Sequence, residues 1–356
     1  MKKSILLLSL AFSQNIFAQT ELSSKLDALF SKWFRDDVPG GAVLIVKDNQ
    51  VIYEKGFGIE DIQTKKKITT NSLFNVGSIS KTFVAYGILR LAKQGKLSLD
   101  DPLEKYFSEF KNPGLAKQVK IYHLLTHTSG LPDNRPVAED SIFFLTAKDA
   151  ENWAPVMQND SLHFQPGESW EYSNPAFNAL ALVIEKVTGQ QWQAYIKQNI
   201  FDNAGMQLSD ITDGAHPETG VTHGYLLEGG KYIERDYGEE PTFCAAGNGG
   251  VWSSVNELWK YEQAIQHHLF LDSAWITKSR TVYTMPNWKD TVPFFMGLSW
   301  FIHHEGENKL IGHTGSQGGF ISDYVWLPAK KIFYVLLCNT PKHIQEIRHE
   351  VMGLLK

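Results

Sequence analysis

Two residues three positions apart open the chemistry of this chain: Ser78 and Lys81, inside Phe74-Asn75-Val76-Gly77-Ser78-Ile79-Ser80-Lys81-Thr82-Phe83. The stretch reads as a loop entering a long helix that runs to about Lys93, with an apolar series at Phe83, Val84, Ile88, Leu89 and Leu91. At helical spacing the two side chains share one face and can meet. A serine hydroxyl is a weak nucleophile until a base lies within hydrogen-bond reach, and the positive end of a helix favours negative charge developing there. A first-turn lysine opposes that same dipole, so an amine there needs a reason other than helix stability. A second Ser-x-x-Lys, Ser108 with Lys111, is followed at once by Asn112-Pro113-Gly114, which stops a helix instead of starting one, and it reads as incidental.

Two further clusters follow in order. Tyr172-Ser173-Asn174 lies in a loop between Pro166-Gly167-Glu168 and a helix beginning near Ala176. His313-Thr314-Gly315, followed by Ser316, falls at the expected end of a strand over Lys309–Gly312. Other chemistries lack their signatures. The twelve histidines include no H-E-x-x-H, and the neighbours His267-His268 and His303-His304 point apart, so no metal site is expected. A G-x-S-x-G elbow is absent, which argues against an α/β-hydrolase. His127, in Leu124-Leu125-Thr126-His127-Thr128-Ser129-Gly130, reads as structural.

The elements that must position these clusters lie at both chain ends. Leu22 to Phe34 is amphipathic at helical period, and Ala42–Val46 with Val51–Lys55 flank a short turn as two antiparallel strands. Strand patterns return at Met296–Phe301, Lys309–Gly312, Phe320–Trp326 and Ile332–Cys338, before a final helix to Leu355. Between them the chain is mainly helical and punctuated by proline, with helices over Ala176–Val187, Trp192–Phe201 and from Ser254 to His268, the last opened by a Ser254/Glu257 capping box. The expectation is α+β: an antiparallel sheet built from both chain ends and flanked by helices, with a large mainly helical insertion. A mixed lobe would span about 21–77 and 247–356, and a mainly helical lobe about 78–246, within one unit over 19–356.

Residues 1–18 read as a secretory signal peptide: Lys2 and Lys3, an apolar run from Ile5 to Phe12, and Ala18 before the cut. That run is too short to span a bilayer, and no cysteine follows it to carry a lipid, so an exported, periplasmic or secreted protein without a stable membrane anchor is expected. With 34 basic against 39 acidic residues and no basic run beyond Lys65-Lys66-Lys67, there is no electrostatic footprint for nucleic acid. Cys244 and Cys338 are too few for a disulfide framework and read as small buried hydrophobes.

Ser-x-x-K followed by Tyr172-Ser173-Asn174 and His313-Thr314-Gly315, with Phe164-Gln165-Pro166-Gly167-Glu168 leading into the second, resembles the serine β-lactamase-like and penicillin-binding-protein-like superfamily over nearly all of the chain. The superfamily includes class C β-lactamases, DD-peptidases, D-aminopeptidases and related esterases. The resemblance implies catalysis at Ser78, Lys81, Tyr172 and Asn174 through an acyl-enzyme, with Lys81 or Tyr172 as the acylation base and the Asn174 amide holding Lys81 and a substrate carbonyl. It implies an oxyanion hole of the Ser78 and Ser316 backbone N–H groups, a substrate wall of His313, Thr314, Gly315 and Ser316, and no cofactor. Substrates would be small β-lactams, D-amino-acid peptides or esters; the alternative is a penicillin- or wall-peptide-binding protein that acylates with little turnover. His313 departs from the lysine usual at that place, which weakens carboxylate recognition and raises amidase, peptidase or esterase activity above β-lactamase activity.

Overall fold

The computed structural model describes residues 20–136, 141–211, 221–235, 246–305 and 308–355. The expected export segment 1–18 and Cys244 lie outside the described residues. A helix over 20–33 precedes the hairpin β1 (Gly41–Lys47) and β2 (Gln50–Phe57). Short strands β3 (Phe74–Asn75), β4 (Asp210–Ile211), β5 (Tyr225–Glu228), β6 (Lys231–Glu234) and β7 (Val251–Ser253) follow. The last strands are β8 (Phe301–Glu305), β9 (Asn308–Gln317), β10 (Phe320–Leu327) and β11 (Ile332–Cys338), before a final helix Ile344–Leu354.

Six strands form one antiparallel sheet in the order β2-β1-β11-β10-β9-β8, so the two chain ends meet at β1 and β11, from Gly41 opposite Cys338 to Lys47 opposite Ile332. Those two strands are central and covered on both faces, which is why GAVLIV and IFYVLLC are continuous apolar runs and not alternating ones. One face packs Val43, Ile45, Val325, Tyr334 and Leu336 against the 20–33 and Ile344–Leu354 helices. The other sends Leu44, Phe333, Val335 and Leu337 into a core shared with the helices Ser80–Lys93, Pro175–Thr188 and Val255–Gln266. Cys338 is buried as a free thiol, with burial pushing its pKa up to about 12.

Three local expectations are corrected. The strand expected over Met296–Phe301 is a tight reversal, with Gly297 N–H donating to Trp300 O and Ser299 at φ 75°, and β8 starts where that segment ends. His313-Thr314-Gly315 is not at a strand end: β9 continues to Gln317, pairing these residues with Tyr324, Asp323 and Ser322. The strand extends through Gly315 because close backbone approach, not a turn, requires glycine there; a Cβ would stand 2.1 Å from Val76 O. The β9–β10 turn instead falls on Gly318 and Gly319, both at positive φ, as a tight hairpin demands. Half of the Ser254/Glu257 box forms: Ser254 Oγ accepts from Glu257 N–H at 3.2 Å, while the Glu257 carboxylate accepts from Leu208 and Ser209 N–H.

Candidate active site

Ser78 sits in a 3-10 turn, Gly77–Ile79, that runs directly into the Ser80–Lys93 helix. The turn is held from outside: Asn75 Oδ1 accepts from Gly77 N–H at 2.9 Å, Val251 O accepts from Val76 N–H at 3.0 Å, and Ser80 Oγ accepts from Val251 N–H at 3.0 Å. Lys81, wholly buried, projects back along the same face and donates to Ser78 Oγ at 2.9 Å and to Asn248 O at 2.7 Å. Burial, reinforced by the charge of Arg135, pushes the Lys81 amine well below its ordinary pKa. Arg135 is itself fixed, forked onto Asp133 at 2.8 and 2.7 Å and donating to Asn152 at 2.6 Å.

The Asn248 carbonyl comes from the loop before β7, which is strapped on two sides. Asp149, buried, accepts from Gly247 N–H at 2.8 Å, and Asn75 Nδ2 donates to Gly249 O at 3.0 Å. Asp149 also accepts from Asn178 at 2.7 Å and Trp192 Nε1 at 2.7 Å. Desolvation, only partly offset by these donors, raises its pKa to about 7. Sequence reasoning missed Asn248, Asp149 and Arg135. The closely spaced Gly247, Gly249 and Gly250 were the one available signal, since a Cβ on Gly247 would press within 2.7 Å of Ala181 Cβ and Phe177 O.

Tyr172 enters from the loop before the Pro175–Thr188 helix, its ring centroid 5.1 Å from Lys81 Nζ. His127, expected to be structural, holds that loop at two points: its carbonyl accepts from Glu171 N–H at 3.0 Å and its Nδ1 accepts from Ser173 N–H at 3.0 Å. Its ring also stacks on Tyr172 at 4.3 Å. Accepting at Nδ1 fixes the neutral Nε2–H tautomer, and burial with the nearby Lys81 holds its pKa well below normal. Burial pushes the Tyr172 phenol well above its ordinary pKa, with the Ser78 hydroxyl pulling weakly the other way. Asn174 lines the cavity without the expected bond to Lys81, whose hydrogen bonds go to Ser78 and Asn248.

β9 closes the opposite side. A Cβ on Gly77 would lie 2.7 Å from Ser316 N and one on Gly315 3.0 Å from Ser78 N, so the two glycines let the Ser78 and Ser316 amides approach across the gap. Ser322 Oγ donates to Val76 O at 2.9 Å and ties the sheet to the turn. His313, 2% exposed, faces Nδ1 to Thr314 O at 2.6 Å; a carbonyl cannot donate, so Nδ1 carries the proton. Its Nε2 is then a bare lone pair, buried and without a partner. Desolvation, reinforced by Lys81, drives its pKa down to about 3.

These walls enclose a cavity of about 420 Å³ in which Ser78, Tyr172, Asn174, His313, Thr314, Gly315 and Ser316 all take part, as the sequence grouped them. Phe301, Ile321 and Ile344 complete it and were not anticipated. Among the described residues no cluster of His, Cys, Asp or Glu could hold a metal ion.

A model of the Beta-lactamase family matches residues 25–352. Penicillin-binding protein 4* of Bacillus subtilis (strain 168) is 29% identical over 299 residues, covering 79% of this chain and 63% of that protein. Protein flp of Staphylococcus aureus (strain NCTC 8325 / PS 47) is 32% identical over 339 residues, covering 89% and 64%. The chain therefore spans somewhat less than two thirds of these relatives. The octameric penicillin-binding protein homologue from Pyrococcus abyssi superposes with TM-score 0.80 at 28% identity, over 94% of this chain and 77% of that one. D-amino acid amidase from Ochrobactrum anthropi SV3, complexed with L-phenylalanine amide, gives 0.76 at 21% identity over 95% and 98%, a likeness of fold.

Proposed function

The chain belongs to the Beta-lactamase family, and from that premise we propose that it is an exported serine hydrolase that forms an acyl-enzyme at Ser78. The observation that carries this is the Lys81–Ser78 contact of 2.9 Å, made by a buried amine whose pKa is pushed well below that of a free lysine. An uncharged amine can accept the hydroxyl proton as Ser78 Oγ attacks a carbonyl carbon. Tyr172 stays a phenol, since its pKa is pushed up, so Lys81 is the base and Tyr172 a donor to the leaving group. The Ser78 and Ser316 N–H groups would carry the negative oxygen of the tetrahedral intermediate. As it collapses, Tyr172 gives its proton to the leaving group and is reprotonated by the one Lys81 took; water then adds to the acyl carbon and frees Ser78 by the reverse path.

The bonds cleaved are amides or esters of small substrates, with D-amino-acid amides and esters ahead of β-lactams because His313 offers no charge. The names of the relatives, penicillin-binding protein and D-amino acid amidase, support this range. Export is proposed on the Lys2-Lys3, apolar and Ala18 order.

Fluorophosphonate or fluorescent penicillin should modify Ser78, located by peptide mass spectrometry, and Ser78→Ala should lose both the label and p-nitrophenyl ester hydrolysis. An unlabelled Ser78 together with a Ser78→Ala variant of undiminished rate would falsify the proposal. A stable adduct without turnover would favour the penicillin-binding alternative.

A further inference from the structure

The acyl-transfer cavity has two ends of different character. Around Ser78 it is polar; past Thr314 and Ser316 it is walled by Ile321 and by Ile344, the first residue of the C-terminal helix. No side chain lining it carries a formal charge. His313 stands nearest to being an exception, and its geometry removes it: Nδ1–H is spent on Thr314 O, and Nε2 presents a lone pair. Beyond the sheet wall Arg348 lies in an adjoining cavity of about 200 Å³ that shares Phe301, His313 and Thr314. Arg348 donates to the fully buried Asp323 at 2.7 Å, so that pair brings no net charge. The positive end of the C-terminal helix is met by Glu346 in its own first turn.

Resting on the hydrolase reading above, we propose that this cavity selects substrates with no carboxylate near the reacting carbonyl: it takes neutral esters or amides and lodges an apolar group against Ile321 and Ile344. The physical reason is desolvation. A carboxylate entering this cavity would leave water without a counter-charge, a cost that neither hydroxyls nor an imidazole lone pair can repay. An apolar group gains by the same transfer.

Two matched pairs test this on one preparation, counted by fluorophosphonate titration of Ser78. The acyl pair is p-nitrophenyl hexanoate and mono-p-nitrophenyl adipate; the leaving-group pair is the methyl ester of S-phenylacetyl thioglycolate and its free acid. The neutral member should have the higher kcat/KM in both, by about tenfold or more. Ile344→Lys, with Ile321→Lys as a second site, should then move the ratio toward the acid by about tenfold in at least one pair. Equal or faster turnover of the acid by the unmodified protein overturns the proposal while leaving the hydrolase reading intact. A folded lysine variant with an unchanged ratio removes the two isoleucines from it. No Ser78 labelling and no turnover of any of the four compounds takes down both.

Discussion

The two walls of the cavity are built on opposite plans. On the helical wall the groups around the nucleophile are tied to one another: Lys81 bonds to Ser78 and Asn248, Asn75 bonds to Gly77 N–H and Gly249 O, and Asp149 accepts three donors, while His127 Nε2–H is buried without a partner. On the sheet wall His313 Nε2 is unanswered, and Ile321 and Ile344 offer apolar surface. A wall whose reacting groups are held by such a network fixes their positions in advance, which acceleration of a bond-breaking step requires. A wall that offers Ile321 and Ile344 to the cavity presents apolar surface for a ligand to cover. The difference separates how the carbonyl is attacked from which carbonyl is admitted.

The comparison is broken most severely at Lys81. Lys81→Ala should lower kcat/KM for p-nitrophenyl esters by about 10²–10⁴ and slow fluorophosphonate labelling of Ser78 similarly. Unimpaired labelling would transfer the base to another group. A smaller effect is expected one step back, where Asp149 holds the loop that presents the Asn248 carbonyl. Asp149→Ala should reduce kcat by about tenfold with KM little changed. Trp192→Phe, which removes an Asp149 donor without touching the loop, should stay within about twofold. Equal losses in the two variants would make Asp149 a general packing residue.

The smallest effect sharpens the sheet wall. The His313 pKa of about 3 in the folded protein lies below the 6.5 of a free histidine. Between those limits the unfolded chain binds the extra proton, so this residue's contribution to stability is fully present above pH 6.5 and is lost as the pH falls toward 3. Urea midpoints measured from pH 7 down to 4 should therefore fall more steeply for the unmodified protein than for His313→Gln. Parallel curves would mean that the imidazole is not desolvated.

Much of the helical wall was legible in the chain. Ser78 and Lys81 are three apart where a 3-10 turn runs into a strongly apolar helix, and that local winding brings them together. Tyr172, Asn174, His313 and Ser316 could be grouped with them because their motifs come in the order of a family resemblance, and the cavity unites them. The sheet strands β1, β10 and β11 were equally plain, since long apolar runs between turn residues have few alternatives. The error at Met296–Phe301 came from an apolar run whose reversal depends on a non-glycine residue, Ser299, at positive φ.

What the sequence determined by itself, then, is the family, through the resemblance its ordered motifs carry, and the sheet-and-helix class and the meeting of Ser78 with Lys81, which rest on local spacing and periodicity. Tertiary structure decided the rest: that Lys81 leans on a carbonyl 167 residues away, that Asp149 fastens the loop bearing it, that His127 is a strut beneath Tyr172, and that His313 turns its proton inward. Desolvation and backbone carbonyl contacts carry no residue signature, since every residue type has the same carbonyl and burial is a property of what surrounds a side chain.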